Sequence, residues 1–140
     1  MAEFVFKKMT AERGLAPKFR ITSFGTSDCE ADNPIYPPAR TTLNNHGIYG
    51  EHRARQLTLS DVINNDYVLV MDSQNLIDVL RLTSGAYSDK IFKLCNFTKK
   101  PRDVADPWYT RDFEKAYSDI LDGCQSFLNY LEEERGNLLK

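Results

Sequence analysis

The chain has 140 residues, 41% hydrophobic and 27% charged, a size and balance that let one soluble domain bury a core. Its formal charge is −2 and its pI about 5.7, with Lys and Arg scattered, which argues against a nucleic-acid partner. No apolar run nears the roughly 18 residues of a membrane span, no signal peptide opens the chain, and three irregularly spaced cysteines suit a reducing cytoplasm.

In chain order, "MAEFVFKKMTAERG" places Ala2, Val5, Phe6 and Met9 on one helical face, with Gly14 as a C-terminal stop. "KFRITSFG" predicts a strand, followed by the turn-rich loop "TSDCEADNPIYPP". "PPARTTLNNHG" predicts a short helix with prolines at its start and Gly47 at its end. His46, beside that end, is expected to favour the helix dipole from solvent. "TLSDVI" opens a one- or two-turn helix, with Thr58 as cap and Asp61 reaching back. "DYVLVMD" is the near-continuous apolar run of a strand covered on both faces.

"SQNLIDVLRLT" is predicted helical, with Leu76, Ile77 and Leu80 facing inward, and "DKIFKLCNF" predicts a further strand. The clearest element is "RDFEKAYSDILDGCQSFLNYLEEE". Phe113, Ala116, Tyr117, Ile120, Leu121, Cys124, Phe127, Leu128 and Leu131 fall on one stripe, which makes Cys124 a small core residue. Strands alternating with helices predict an α/β fold, a small parallel sheet flanked by helices. No repeat or linker divides the chain, so residues 1–140 are expected to form one domain. Two histidines and no C-x-x-C predict no metal site, and no cofactor is expected.

"DVADPWYT" (103–110) sets a carboxylate before a proline and two large aromatics. By itself the stretch reads as a turn, with Asp106 preceding Pro107 and Trp108 and Tyr109 packing on the last helix. By itself His52 reads as a polar surface histidine, and Arg53 and Arg55 beside it as charge-pairing residues.

Seven segments, taken in order, resemble the low-molecular-weight protein tyrosine phosphatase family. They are "MAEFVFKKM", "SFGTSD", "NPIYPPAR", "HGI", "HRARQLT", "DYVLVMDSQNL" and "DPWYTRDFEKAY". The resemblance implies a three-layer phosphatase-like fold and hydrolysis of phosphotyrosine or aryl phosphate through a cysteinyl-phosphate. In such a site backbone N–H groups and an Arg cradle the phosphate, and their field lowers the pKa of the nucleophilic cysteine. An Asp then protonates the leaving oxygen and later activates water.

On this resemblance Asp106 is the expected acid and base, and Trp108 and Tyr109 wall the entrance with flat rings suited to an aromatic substrate. Ser23, His52, Asp72 and Glu3 are expected to support the phosphate loop. Cys29 stands where relatives often carry Trp or Tyr at the substrate rim, and Asp32 replaces a glycine common in that loop. Both departures bear on selectivity.

The family's C-x5-R-S loop belongs immediately before "MAEFVF". None of the three cysteines substitutes: six residues beyond Cys29, Cys95 and Cys124 stand Ile35, Pro101 and Tyr130. The natural protein is therefore expected to be longer, and these 140 residues alone to be inactive, binding phosphate or vanadate only with the loop restored. The family's first strand, between those matching "FRITSF" and "DYVLVM", would be absent too, leaving both with an open edge. Two other readings remain at this point: a non-catalytic binding or scaffold protein, and an arsenate reductase-like enzyme, which needs resolving cysteines besides the missing one.

Overall fold

The computed structural model describes residues 1–26, 35–51, 55–104 and 107–139, with the backbone alone at 108, 109 and 136–139. Helix α1 (Ala2–Glu12) ends at Arg13, and Gly14 follows at φ +70°, where a side chain would be strained. A 3₁₀ turn at Ala16–Lys18 leads into an extended segment. Helix α2 (Pro37–Asn45) starts on two prolines, and Gly47 at φ +74° lies just past its end.

Helix α3 (Leu59–Asn64) has the expected capping box. The Thr58 hydroxyl accepts from Asp61 N at 3.3 Å, and Thr58 N donates to Asp61 Oδ2 at 2.9 Å. Strand β1 (Val68–Val70), helix α4 (Ser73–Leu82) and strand β2 (Ile91–Lys93) form a βαβ unit. The two strands are parallel, pairing Val68 with Ile91, Leu69 with Phe92 and Val70 with Lys93. A short helix α5 (Pro107–Thr110) precedes the long α6 (Phe113–Leu139), which breaks at Arg135.

Because side chains alternate along a strand, β1 feeds two cores. Tyr67, Leu69 and Met71 pack on the larger one, built from α1 (Val5, Phe6), α2 (Leu43), the 3₁₀ turn Leu94–Phe97 and the α6 stripe. Val68 and Val70 meet the smaller one with Val62 of α3, Val79 of α4 and Ile91. The result is an α/β fold of three layers, as expected. Phe127 anchors the larger core, its ring centroid 5.6, 5.3 and 5.0 Å from those of Phe6, Tyr67 and Phe97.

Three expectations are corrected. The segment 18–25 forms no ladder among the described residues, only a single parallel bridge from Gly25 to Gln56. Strand propensity needs a partner with free N–H and C=O groups, and here only that one pair meets. Of "DKIFKLCNF", three residues are strand and Leu94–Phe97 are 3₁₀. Ile77 and Leu121, predicted inward, are exposed.

The α6 stripe is rotated toward Asp119 and Gly123. Asp119 is buried, and a Cβ added at Gly123 would come within 2.6 Å of the buried Leu94 Cγ. His46 does not simply face solvent: its ring stacks on Tyr117 with centroids 3.8 Å apart, and its Nε2 lies 2.8 Å from Glu114 Oε2. Tyr36, at the other end of α2, accepts a hydrogen bond from Arg111 at 3.2 Å and packs on Phe113. The start of α6 is thus tied to both ends of α2.

Candidate active site

In parallel α/β units, sites gather where strands end and helix N-termini begin. Here that place is the turn from β1 into α4. Asp72 is the N-cap of α4: its carboxylate accepts from Asn75 N at 2.8 Å, while Asn75 Oδ1 accepts from Met71 N at 3.3 Å. One oxygen of Asp72, expected to support the phosphate loop, is thus bonded within its own helix.

The segment that leads to Asp106 is fastened beside this turn at three successive residues. Val104 N donates to Met71 O at 2.8 Å, and the Val104 side chain is buried. The Asp103 carboxylate accepts from Ser73 Oγ at 3.1 Å and Lys93 Nζ at 2.8 Å, joining α4 and β2. Arg102 donates from Nε and Nη2 to Asp119 Oδ1 at 3.2 and 3.0 Å, and from Nη2 to Asp122 at 3.1 Å on α6. Lys115 Nζ adds a third contact to the Asp119 carboxylate, at 2.6 Å. Residues 102–104 are therefore held at the carboxyl end of β1, in part by charge-assisted bonds.

These charges are tuned by their partners. The hydrogen bond from Lys93 holds the Asp103 carboxyl below its ordinary range. Burial acts to raise the Asp119 carboxyl, but hydrogen bonds from Lys115 and Arg102 outweigh it, and the net shift is downward. A carboxyl depressed in the folded state stabilises the fold above its unfolded pKa and loses that contribution as pH falls through the folded value. Asp119→Asn is accordingly expected to cost about 1.5–3 kcal/mol at pH 7, the usual range for hydrogen bonds to a charged group. The variant's stability should also fall less than the parent's between about pH 5 and pH 2. Urea unfolding across that range measures both, and parallel curves for parent and variant would count against the assignment.

Ser23 and Glu3 are brought together. The Ser23 hydroxyl donates to Glu3 Oε1 at 2.7 Å, and Lys7 Nζ donates to Glu3 Oε2 at 2.7 Å. Glu3 is buried in the first turn of α1, a favourable place for a carboxylate near a helix N-terminus. Asp106, His52 and Cys29 lie outside the described residues. For Trp108 and Tyr109 the described backbone places both on α5, directly after the fastened segment.

Sequence reasoning missed Ser73, Lys93, Arg102, Asp103 and Asp119. The one local signal was Lys115 four residues before Asp119, an ordinary helix-surface pair until Arg102 arrives from 17 residues away.

Neither described thiol is a plausible nucleophile. Cys95 and Cys124 are both free and buried, and burial pushes Cys124 up to about 12 and raises Cys95 as well. Both are expected to resist iodoacetamide at pH 8 in the folded chain and to react fully in denaturant. Mass spectrometry of the two samples reads this, and native alkylation of either would overturn it. Among the described residues no group of three or more His, Cys, Asp or Glu is placed to hold a metal ion, and no helix is long and apolar enough to cross a membrane.

The layered βαβ arrangement, with residues 102–104 fastened at the strand ends, is an α/β fold with a small parallel sheet flanked by helices. The family described as low molecular weight phosphotyrosine protein phosphatase matches residues 1–137, and the chain belongs to that family. It is 35% identical over 133 residues to the rat low molecular weight phosphotyrosine protein phosphatase, covering 91% of this chain and 84% of that one.

The crystal structure of YfkJ from Bacillus subtilis superposes with a TM-score of 0.92 at 28% identity, over 96% of this chain and 86% of that one. A protein tyrosine phosphatase from Entamoeba histolytica gives 0.89 at 28% identity, over 96% and 88%.

Proposed function

We propose that the complete protein is a protein tyrosine phosphatase that hydrolyses phosphotyrosine and small aryl phosphates through a cysteinyl-phosphate. In this reading a cysteine thiolate attacks phosphorus, the aryl–oxygen bond to phosphorus breaks, and Asp106 delivers a proton to the leaving phenoxide. Asp106 then takes a proton from the water that releases phosphate. Trp108 and Tyr109 flank the aromatic ring of the substrate, and Cys29 lies at the rim. Ser23, Glu3, His52 and Asp72 support the phosphate loop.

The observation that carries this reading is the hydrogen bond from Val104 to Met71. It holds Val104, two residues before Asp106 in the sequence, at the carboxyl end of β1, which supports an acid beside a phosphate loop at that end of the sheet.

The nucleophile and its arginine come, in this proposal, from a C-x5-R-S segment upstream of Met1. The 140-residue chain contains no cysteine followed six residues later by arginine. Hydrolysis of para-nitrophenyl phosphate tests the whole reading. The 140-residue chain should show no vanadate-sensitive turnover, and the product of the coding sequence extended upstream should show it. Turnover by the shorter chain, or an upstream sequence without an in-frame C-x5-R-S, would sink the proposal.

Binding of a phosphotyrosine peptide with no hydrolysis by the extended protein would establish the non-catalytic alternative. The buried Cys95 and Cys124 give no support to an arsenate-reducing site, which needs accessible resolving thiols.

A further inference from the structure

Seven tyrosines occur in the chain, and among the six whose side chains are described one differs from the rest in its surroundings. Tyr49 is 74% exposed and stands on irregular backbone between α2 and α3. Tyr36 accepts from Arg111, Tyr67 packs on Phe127, Tyr117 stacks on His46, and Tyr130 packs on Phe97. Tyr87 is 40% exposed but lies under Lys90, with its backbone at φ 63°. Tyr109 belongs to the proposed substrate wall. A modifying enzyme must seat a tyrosine ring that stands clear of the fold. Among the described tyrosine side chains Tyr49 meets this condition most fully, on backbone outside helix and strand.

The surroundings of Tyr49 also suit the product. Tyr49 shares a shallow depression with Phe4, Lys7, Lys8, Gly47 and Ile48. The Phe4 ring lies so close over Gly50 that an added Cβ would come within 2.5 Å of it, which holds this loop against α1. Lys7 and Lys8 are each 47% exposed, bonded on one side to Glu3 at 2.7 Å and to Glu12 at 3.1 Å. An ammonium has three donors, so each lysine keeps capacity for a second anion.

We propose that Tyr49 is a phosphoryl-acceptor site, and that its phosphate docks on Lys7 and Lys8. In the modification, a tyrosine kinase transfers the γ-phosphoryl group of a nucleoside triphosphate to Tyr49 Oη. The Oη–P bond forms, the bond between γ-phosphorus and the bridging oxygen breaks, and nucleoside diphosphate and the phenolic proton leave. The ester carries nearly two negative charges at neutral pH and three acceptor oxygens. Two lysines at the rim of the same depression provide its counter-charge.

The test uses the 140-residue chain, magnesium ATP and a tyrosine kinase of broad specificity, with vanadate present to block any phosphate loss. That inhibitor keeps the result independent of whether the protein is itself a phosphatase. Mass spectrometry should find Tyr49 as the principal site, and Tyr49→Phe should remove most incorporation. No incorporation, or phosphate mainly on another tyrosine, overturns the site. For the docking, a phosphorus NMR titration of the modified chain should show the second phosphate ionisation about half a pH unit below that of the Lys7→Gln/Lys8→Gln double variant, the scale of two exposed ion pairs. Equal midpoints in two chains with the same circular dichroism overturn the docking.

Discussion

Asp106→Ala in the complete protein is expected to lower turnover of phenyl phosphate by about a hundred- to ten-thousand-fold, the usual contribution of a positioned general acid. The loss should shrink sharply for para-nitrophenyl phosphate, because nitrophenoxide leaves without needing a proton. A series of aryl phosphates graded by leaving-group pKa measures this as a steeper dependence of kcat/KM, which reports phosphoryl transfer and not the later hydrolysis, in the variant than in the parent. Equal slowing across the series would remove Asp106 from the acid role and leave it a turn residue before Pro107. Residues 102–104, which precede Asp106 in the sequence, are tied to α6, to α4 and β2, and to the end of β1 at three consecutive residues. Positioned acids are effective only within hydrogen-bond reach of the leaving atom, so such fixing matters to rate.

Phe127→Ala is expected to be the most damaging single core change. Phe127 is 3% exposed and contacts rings from α1, the approach to β1 and the 3₁₀ turn after β2. Truncating a buried Phe to Ala typically costs about 3–5 kcal/mol, through lost transfer energy plus the cavity left behind. Against a total stability of about 5–15 kcal/mol for a domain, that loss can leave a substantial unfolded fraction. Urea denaturation at 25 °C, with an unchanged m-value, checks it. A cost below about 1 kcal/mol would mean the surrounding rings collapse into the space and that the cluster is less closely packed than it stands.

What could be read from residues alone follows the range of the forces involved. The capping box at Thr58 and Asp61 and the stops at Gly14 and Gly47 are local chemistry, and each is found as expected. The α6 stripe is legible because its period is regular, but its phase is set by partners. Leu121 therefore turns outward, while Asp119 turns inward to meet Arg102. Segment 18–25 has strand-forming residues, yet a ladder is a property of two segments, and only Gly25 finds a partner among those described. The site divides the same way. "DPWYT" is contiguous and conspicuous, whereas the Ser23–Glu3 bond and the Lys93–Asp103–Ser73 cluster join residues that are distant in the chain and unremarkable one by one.

The two faces of β1 are not equally protected. On one side lies the large aromatic core, and on the other only Val62, Val70, Val79 and Ile91 are fully buried, beneath helices that still expose Leu59, Ile63 and Ile77. Local opening requires the least free energy where the fewest apolar contacts break. Amide hydrogens along α4 should therefore exchange with deuterated solvent well before those in the middle of α6, through excursions that leave the rest of the molecule folded. Since α4 begins at Asp72 and Ser73, such excursions would periodically loosen the anchor of Asp103. The rhythm of α4 breathing would then set an upper limit on how steadily residues 102–104 are held at this end of the sheet.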